Sequence, residues 1–400
     1  MGEEIVRIAA RGDGITESGK HVPMSAPGDV LQEDGGLAWG AHHVMPPCQH
    51  FELCGGCNLQ QLDDVSYAEF VRDRVANSID SQGLQADEIA AAVLSPPQSR
   101  RRVGLRAIRM GRKLHIGFHT GGSHRVIDMQ QCEVMRPELF ALVAPLRQLL
   151  DGWPGKSLSC VVDMTLVDQG ADIHIKNLNF DGLEQTQALL DFARENGLAR
   201  LSMDQGYGPE AIWEPEPATM SFSGHAVGFP AGAFLQPTRE GEDALVAAAK
   251  EALHGSKVIA DLFCGIGTFA LHLTGGRKIY AGEASRDALM ALKMAANMRQ
   301  LPIFADHRDL YRKPLMAEEL NRFEAVLLDP PRSGAKEQVG ELALSTVPKI
   351  CYISCNPVSW ARDAKKLCQA GYRIRKIWPV GQFRWSTHVE LVSLFEKVES

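Results

Sequence analysis

The feature that most constrains the fold is an alternation of apolar strand-like runs and helical segments from about residue 240 to the C-terminus. Runs such as VIADLF, AVLLD and ICYIS are each followed by a polar or glycine-rich loop. This alternation predicts a doubly wound α/β domain, in which helices cover a parallel sheet. Ligands of such sheets bind beyond the carboxyl ends of the strands, so we expect the chemistry at these loops.

The preceding residues divide into further parts. Residues 3–32 alternate β-prone runs with glycine-bearing turns, which indicates a small antiparallel sheet or barrel. A cysteine-rich segment at 48–57 and a helical pattern at 65–82 follow, and residues 99–220 mix strand-like and helical stretches. A chain of 400 residues can bury two or three hydrophobic cores.

The distribution of charge bears on the kind of ligand. A net charge of −7 argues mildly against a nucleic-acid partner. Residues 100–113 nevertheless contain no acidic residue, and their pattern suits a strand that presents several arginines to a polyanion or to solvent. The basic residues of this stretch are Arg100, Arg101, Arg102, Arg106, Arg109, Arg112 and Lys113. No apolar run is long enough for a bilayer and no secretory signal is present at the start, so we expect a cytoplasmic protein.

The first candidate loop is DLFCGIGTF, which begins at Asp261. Its glycines, Gly265 and Gly267, would let the backbone pass close to a ligand at the start of a helix. The next strand ends at Glu283, which is suited to bind ribose hydroxyls. A dinucleotide site would have a third glycine where Ala270 stands, so an adenosine ligand without a pyrophosphate, such as S-adenosylmethionine, fits better.

Three further loops carry reactive side chains. Asp329 precedes two prolines and Arg332, where methyltransferases that act on amines have an aromatic residue. Cys355, in SCNP, follows a buried strand at a position suited to a nucleophile, and Glu390, in THVE, precedes the last strand. The structural alternatives are a proline-capped strand end, a packed cysteine and a solvated glutamate.

A cysteine-rich segment lies far from these loops in sequence. Cys48, Cys54 and Cys57 follow C-x5-C-x2-C spacing, and Cys132 lies downstream. From spacing alone, structural zinc and an iron–sulfur cluster both remain open, and His42, His43 or His50 could also bind zinc. Enzymes that use S-adenosylmethionine as a radical source have C-x3-C-x2-C spacing instead. The other cysteines, Cys160, Cys264, Cys351 and Cys368, are expected to pack in strands and helices.

Together these motifs resemble the RNA 5-methyluridine methyltransferases, which act on transfer or ribosomal RNA. DLFCGIGTF is similar to the cofactor loop of that family, LLDPPRSG to its active-site loop, ISCNP to its nucleophile motif and HVE to its general-base motif. GAFLQPT resembles a further motif, Phe-x-Gln. The resemblance implies a Rossmann-like class I methyltransferase domain with a seven-stranded sheet, a central α/β iron–sulfur domain and a small N-terminal β-barrel of the TRAM or OB type.

The resemblance also implies roles for individual residues. Cys355 would add to C6 of uracil, Glu390 would remove the C5 proton, and Asp329 and Arg332 would orient the base. Several members carry a 4Fe-4S cluster on four cysteines in this order, which assigns Cys48, Cys54, Cys57 and Cys132 to it. The residues implied to bind S-adenosylmethionine are Gln236, Asp261, Phe263, Gly265, Gly267, Thr268, Glu283, Asp309 and Asp329. Thr238 and Thr268 stand where relatives can have asparagine.

The preferred function is C5 methylation of an unstacked uridine in 23S rRNA, since the cluster and a shortened TRAM-like segment accompany that branch. Methylation of uridine 54 in transfer RNA is the alternative, and a catalytically inactive iron–sulfur RNA-binding protein is the alternative of another class. We expect a monomer that binds RNA and neither DNA nor membranes. The expected domains are residues 1–46 (barrel), 47–60 with 96–231 (central), and 61–95 with 232–400 (methyltransferase).

Overall fold

A computed structural model describes residues 2–398. The N-terminal residues form a five-stranded antiparallel sheet in the order β3-β2-β1-β4-β5, with Ile5, Val22 and Leu31 in its small core. A barrel or sheet was expected here, and the described residues form a sheet whose edge strands are β3 and β5. The strands are β1 (Glu3–Ile8), β2 (Gly14–Thr16), β3 (His21–Val22), β4 (Val30–Leu31) and β5 (Leu37–Ala38).

The next helix packs on the large C-terminal sheet and the next two strands are part of it, although all three precede the central domain in sequence. They are α1 (Asp64–Ser81), β6 (Ala86–Ile89) and β7 (Val93–Leu94). The side chain of Asp63 caps α1 by accepting a hydrogen bond from the Ser66 amide at 2.8 Å. Phe70, Val71 and other apolar residues of α1 are buried against the sheet.

The central domain is a six-stranded sheet in the order β13-β12-β11-β10-β8-β9, and β14 and β15 form a separate hairpin. Helices α3 and α4 pack on the sheet around Leu146, Leu189 and Phe192. Its elements are β8 (Arg102–Met110), β9 (Lys113–Gly117), α2 (Pro137–Phe140), α3 (Val143–Asp151), β10 (Ser157–Val167), β11 (Gly170–Lys176), α4 (Leu183–Glu195), β12 (Arg200–Asp204), β13 (Glu210–Trp213), β14 (Thr219–Phe222) and β15 (His225–Gly228).

The C-terminal elements confirm the expected α/β alternation. They are α5 (Arg239–Ala252), β16 (Val258–Leu262), α6 (Thr268–Leu273), β17 (Lys278–Glu283), α7 (Arg286–Met298), β18 (Ile303–His307), α8 (Ala317–Leu320), β19 (Ala325–Leu328), α9 (Lys336–Leu344), β20 (Lys349–Ser354), α10 (Pro357–Gln369), β21 (Tyr372–Gly381) and β22 (Glu390–Lys397). No helix among the described residues is both long and apolar enough to cross a membrane.

The C-terminal sheet has nine strands in the order β18-β17-β16-β19-β20-β22-β21-β6, and β7 also pairs with β21. The expected sheet of seven strands is therefore wrong in number: seven strands follow residue 240, and β6 and β7 extend the sheet at its β21 edge. Strands β16 to β20 pair in parallel, whereas β22 is antiparallel to both neighbours. One hydrophobic core lies on each face, one with α1, α9 and α10 and the other with α5, α6 and α7.

Two arginines of the basic stretch are buried and therefore do not face a polyanion. Arg109 donates hydrogen bonds to backbone carbonyls of residues 150–155, among them Leu150 at 3.1 Å. Arg101 pairs with Glu242 of α5 at 2.6 Å and donates to the Gln236 carbonyl at 3.1 Å. The strand alternation places Arg102 and Arg106 on the opposite, more accessible face of β8.

The buried Arg101–Glu242 pair joins the central domain to α5, so breaking it should destabilise the fold. We expect Glu242→Ala to lower the free energy of unfolding by about 3 kcal/mol, because it leaves an unpaired buried guanidinium. Urea denaturation measures this loss. Glu240→Ala is the matched control, since Glu240 lies in the same first turn of α5 but is exposed. Equal losses in the two variants would contradict the interpretation.

Candidate active site

The loop between β16 and α6 shapes one wall of a cleft at the carboxyl edge of the sheet. Phe263, Gly265 and Gly267 have left-handed backbone angles of 64°, 55° and 91°. A Cβ at Gly267 would lie 2.4 Å from Leu292 Cδ1, so this position requires glycine. The turn brings the loop amides to the N-terminus of α6, where they can face a ligand.

Glu283, at the end of β17, is fixed by this loop. Its two carboxylate oxygens accept hydrogen bonds from the backbone amides of Gly265 at 2.9 Å and Ser285 at 2.7 Å. Asp309 follows β18 and accepts from the Tyr311 amide at 3.0 Å. Both carboxylates line the cleft and retain lone pairs that could bind hydroxyl or amino groups.

Gln236 enters the cleft from the segment before α5. Its side-chain carbonyl accepts a hydrogen bond from the Gln382 amide at 2.9 Å, which holds the Gln236 side chain in a buried position. Thr238 does not line the cleft: its hydroxyl caps α5 by accepting from the Gly241 amide at 3.0 Å. Thr238 therefore serves as a helix cap, a role that asparagine could also fill.

The pairing of β20 with β22 places Cys355 beside Glu390. Ser354, the last residue of β20, pairs with Leu391 in the antiparallel register. Cys355, which follows it, therefore lies opposite Glu390, the first residue of β22. Asp329 follows the neighbouring parallel strand β19 and ends at the same edge. Residues that are far apart in sequence are thus brought together by strand direction and register.

Burial controls the ionisation of these groups. Burial, together with the charges of Glu390 and Asp329, raises the pKa of the Cys355 thiol to about 11, while Arg332 opposes this shift. Burial also raises the pKa of Glu390 to about 7, against the effects of Gln382 and Arg332. The pKa of Asp329 is raised well above its ordinary value by burial and by Glu390. The cleft therefore favours a neutral thiol and a carboxyl group that can exchange protons near neutral pH.

The loop that follows Asp329 is tied to the nucleophile motif. The Arg332 carbonyl accepts hydrogen bonds from Asn356 Nδ2 at 3.0 Å and Ser359 Oγ at 2.9 Å. The Arg332 guanidinium donates to His388 Nδ1 at 2.6 Å. Arg332 thus has a fixed backbone and an exposed guanidinium beside Cys355.

A single cleft of about 590 Å³ collects most of the predicted site residues. Those that line it are Gln236, Phe263, Gly265, Thr268, Glu283, Asp309, Asp329, Arg332, Cys355 and Glu390. Asp261 and Gly267 do not line it. Asp261 is fully buried behind the loop, where burial raises its pKa to about 7 and neither oxygen makes a hydrogen bond of good geometry.

Sequence reasoning missed several residues of the cleft. Phe234 is 60% exposed at its rim, under the Arg102 guanidinium at 5.4 Å from the ring centre. Tyr311 packs against Phe263 with ring centres 5.5 Å apart. Gln382 holds Gln236. Phe234 could have been found, because it is the aromatic residue of the Phe-x-Gln motif that contains Gln236. Tyr311 and Gln382 lie in loops without a recognisable pattern.

The four cysteines of the predicted metal site line one small enclosed cavity together with His50. Among the described residues, no three His, Cys, Asp or Glu side chains are close enough to hold a single metal ion. Two alternative zinc ligands are engaged elsewhere, since His42 bonds to Asp63 and His43 to Asp29. The cavity lies next to Trp385, in the loop that leads to Glu390. Three residues that line the cavity, Phe51, Cys57 and Val134, pack in one cluster with Trp385.

The thiol pKa predicts how Cys355 reacts with an alkylating agent. Because the pKa lies near 11, the thiolate fraction and the alkylation rate should rise about tenfold per pH unit from pH 7 to pH 10. Glu390→Gln removes a negative charge that raises this pKa and should accelerate alkylation at pH 8. Peptide mass spectrometry with iodoacetamide measures the rate at this cysteine. A rate that levels off near pH 7 would show that the thiolate is already formed there.

Comparisons with known proteins identify the family of the chain. Residues 225–398 match the family model described as tRNA (Uracil-5-)-methyltransferase. The chain is 47% identical over 396 residues to an uncharacterised RNA methyltransferase of Zymomonas mobilis, over 99% of this chain and 100% of that protein. It is 28% identical over 373 residues to the 23S rRNA (uracil(1939)-C(5))-methyltransferase of Aeromonas salmonicida, over 89% of this chain and 83% of that protein.

The fold also matches a solved structure over the full chain. This is the Pyrococcus abyssi tRNA (uracil-54, C5)-methyltransferase in complex with S-adenosyl-L-homocysteine, with a TM-score of 0.73, 20% identity and coverage of 99% of this chain and 100% of that chain. At this identity the similarity establishes a Rossmann-like class I methyltransferase fold. The motifs, the full-length relatives and the fold agree, and the chain belongs to the S-adenosylmethionine-dependent RNA (uracil-5-)-methyltransferases.

Proposed function

We propose that this enzyme methylates C5 of a uridine in 23S rRNA by covalent catalysis through Cys355. The observation that carries the proposal is the presence of Cys355, Glu390, Asp329 and Arg332 in the same cleft as the cofactor loop. A thiol, a carboxyl group of raised pKa and a guanidinium at one point of a cleft suit addition to a pyrimidine ring and later removal of a proton.

Cys355 starts the reaction. C5 of uracil is a weak nucleophile, so the Cys355 sulfur first forms a bond to C6 and pushes the electron pair of the C5–C6 double bond toward C5 and O4. The thiol must first lose its proton to solvent in the cleft, because burial keeps it neutral. The nearby guanidinium of Arg332 favours the thiolate, and it can also stabilise negative charge on the uracil carbonyl.

Glu390 completes the reaction. S-adenosylmethionine would supply an electrophilic methyl group to C5 and leave as S-adenosylhomocysteine, so that C5 bears both a methyl group and a hydrogen. Glu390 takes that hydrogen as a proton, and the released electron pair restores the double bond and expels the Cys355 sulfur. A pKa of about 7 allows Glu390 to accept a proton in one step and lose it to solvent in the next.

The cofactor residues fit a positively charged adenosine ligand. Glu283 and Asp309 can bind ribose and base groups, and Gln236 can bind the polar end of the ligand. Burial raises the pKa of both Asp329 and Glu390, and the charge of Glu390 raises the pKa of Asp329 further. Both would ionise more readily next to a cation, which supports a site for the sulfonium of S-adenosylmethionine. Phe263, Gly265 and Thr268 complete this wall of the cleft, in front of Asp261 and Gly267.

We propose a 4Fe-4S cluster on Cys48, Cys54, Cys57 and Cys132. The support is a shared enclosed cavity that these thiols line at partly buried or buried positions. In such a cluster each thiolate binds a different iron, so the sulfurs stand farther apart than they do around one ion. The described residues contain no group of three His, Cys, Asp or Glu side chains that could hold a single metal ion, so the proposal depends on the shared cavity and on the order of the cysteines. The cluster would fix the cysteine-rich segment against the loop that contains Trp385.

The choice of ribosomal RNA is supported by the relative from Aeromonas salmonicida, whose name specifies 23S rRNA. The transfer-RNA enzyme of Pyrococcus abyssi supports only the fold, since it is 20% identical. The target uridine must leave its base stack for a thiol to reach C6, so a loop or bulge is the expected RNA context. Such an enzyme needs no second copy of the chain, and we expect it to act as a cytoplasmic monomer.

Incubation with RNA that contains 5-fluorouridine tests both the reaction and the substrate. Fluorine at C5 cannot leave as a proton, so a covalent protein–RNA complex should accumulate and survive denaturing electrophoresis. We expect the complex with 23S rRNA transcripts and not with transfer RNA transcripts. Cys355→Ala should abolish it. A complex only with transfer RNA would select the alternative substrate, and no complex with either RNA would favour an inactive RNA-binding protein.

The iron content tests the cluster. Protein purified without oxygen should be brown and contain about four iron atoms per chain, and Cys57→Ser should lose most of this iron. Cys368→Ser is the matched control, because Cys368 lies on α10 outside the cysteine cavity. A colourless protein with one zinc ion per chain would overturn the assignment.

A further inference from the structure

We propose that a second cavity beside Cys355 binds the phosphodiester group of the target nucleotide and that Arg74 of α1 is its main positioning residue. The proposal deepens the proposed function, on which it rests. It assigns a role to α1, which lies outside both the cofactor loops and the catalytic motifs.

The second cavity has a volume of about 330 Å³. Its lining residues are Arg74, Arg332, Cys355, Asn356, Pro357, Thr387, His388 and Val389. It shares only Arg332 and Cys355 with the larger cofactor cleft. The nucleophile therefore stands between two cavities, and a uridine that reaches Cys355 from the smaller one would leave the larger one to the methyl donor.

The electrostatics of this cavity suit an anion. Arg74 and Arg332 line it, and no carboxylate is present among its lining residues in the described part of the chain. The pKa of His388 is lowered by burial and by the positive charges of Arg332, Arg100 and Arg74, which indicates that these guanidinium groups act on one point. Cys355 at the boundary has its carboxylate neighbours on the cofactor side, where Asp329 and Glu390 lie.

Arg74 lacks a protein partner that would explain its position. Its Nε is buried and has no hydrogen-bond partner among the described residues. Burial lowers its pKa, with no carboxylate to oppose this effect. A guanidinium that is partly desolvated without compensation is costly, and a phosphate that accepts its hydrogen bonds would remove that cost.

The surroundings of Arg74 are rigid enough to position a ligand. Its neighbour Val75 is buried in the core of the C-terminal domain, and the Ser78 hydroxyl donates to the Arg74 carbonyl at 2.9 Å. Across the cavity, the Asn356 side chain caps α10 and donates to the Arg332 carbonyl at 3.0 Å. The phosphate of a flipped nucleotide is the anion nearest to its base, so this cavity would align the ribose–phosphate while C6 meets the thiol.

The test measures equilibrium binding by fluorescence anisotropy to a synthetic RNA hairpin with one loop uridine. A neutral methylphosphonate replaces the phosphate on the 5′ or the 3′ side of that uridine. Wild-type protein should bind one of these RNAs about tenfold more weakly than the unmodified hairpin, whereas Arg74→Ala should lose less than about twofold on the same replacement. Arg74→Ala should also reduce the dependence of log affinity on log salt by about 0.7.

Two variants control the test. Arg72→Ala removes an exposed cation from the same helix and should retain the wild-type response to the methylphosphonate. Arg74→Lys keeps the positive charge and should retain part of the wild-type response to the methylphosphonate. This variant separates the loss of the guanidinium from a folding defect. The phosphate site is wrong if the methylphosphonate lowers the affinity of wild-type protein and of Arg74→Ala by the same factor. It is also wrong if wild-type protein binds both methylphosphonate RNAs as tightly as the unmodified hairpin.

The outcome can be separated from the proposed reaction. A covalent complex on 5-fluorouridine RNA without coupling between Arg74 and a phosphate would support the reaction and overturn the site. Coupling without any covalent complex in wild-type protein would support the site and overturn the reaction.

Discussion

The antiparallel register between β20 and β22 is the constraint on which the rest of the active site depends. It sets Ser354 opposite Leu391 and thereby brings Cys355 next to Glu390 at the edge where the parallel strands end. A slip by one residue would turn Glu390 to the other face of the sheet and away from the cleft. Burial at this edge then keeps the thiol neutral and gives the carboxyl group a pKa near neutrality. Strand geometry thus fixes both the positions and the protonation states of the reacting groups.

The cysteine-rich segment supports this edge from outside the sheet. The backbone amides of Asn58 and Leu59 donate to the Trp385 carbonyl at 2.7 and 3.1 Å. Trp385 packs with Phe51 and Cys57 in a small separate core. The loop between β21 and β22, which carries His388 and leads to Glu390, is therefore held by the same segment that contains the proposed cluster. This contact would give the proposed cluster a structural connection to the active site without a redox step in the reaction.

The sequence predicted the α/β domain and placed Cys355 and Glu390 in loops at the mouth of the sheet, because apolar runs identify buried strands. Glu390 reaches the edge where the parallel strands end because β22 runs antiparallel to β20. The sequence assigned residues 61–95 to this domain but did not predict that they contribute two strands to the sheet, since pairing between distant segments leaves no local pattern. It also did not predict that Arg101 is buried against α5. The positions of Gln382 and Arg74 depend on tertiary packing, so single motifs could not identify them.

The central claim is that the Cys355 sulfur bonds to uracil C6. Tandem mass spectrometry of the nuclease- and protease-digested covalent complex with 5-fluorouridine RNA tests it most directly, because the chain has nine cysteines. We predict one modified peptide, with a fluorinated, methylated nucleotide on Cys355. A nucleotide attached to Cys351, Cys264 or any other residue would contradict the account.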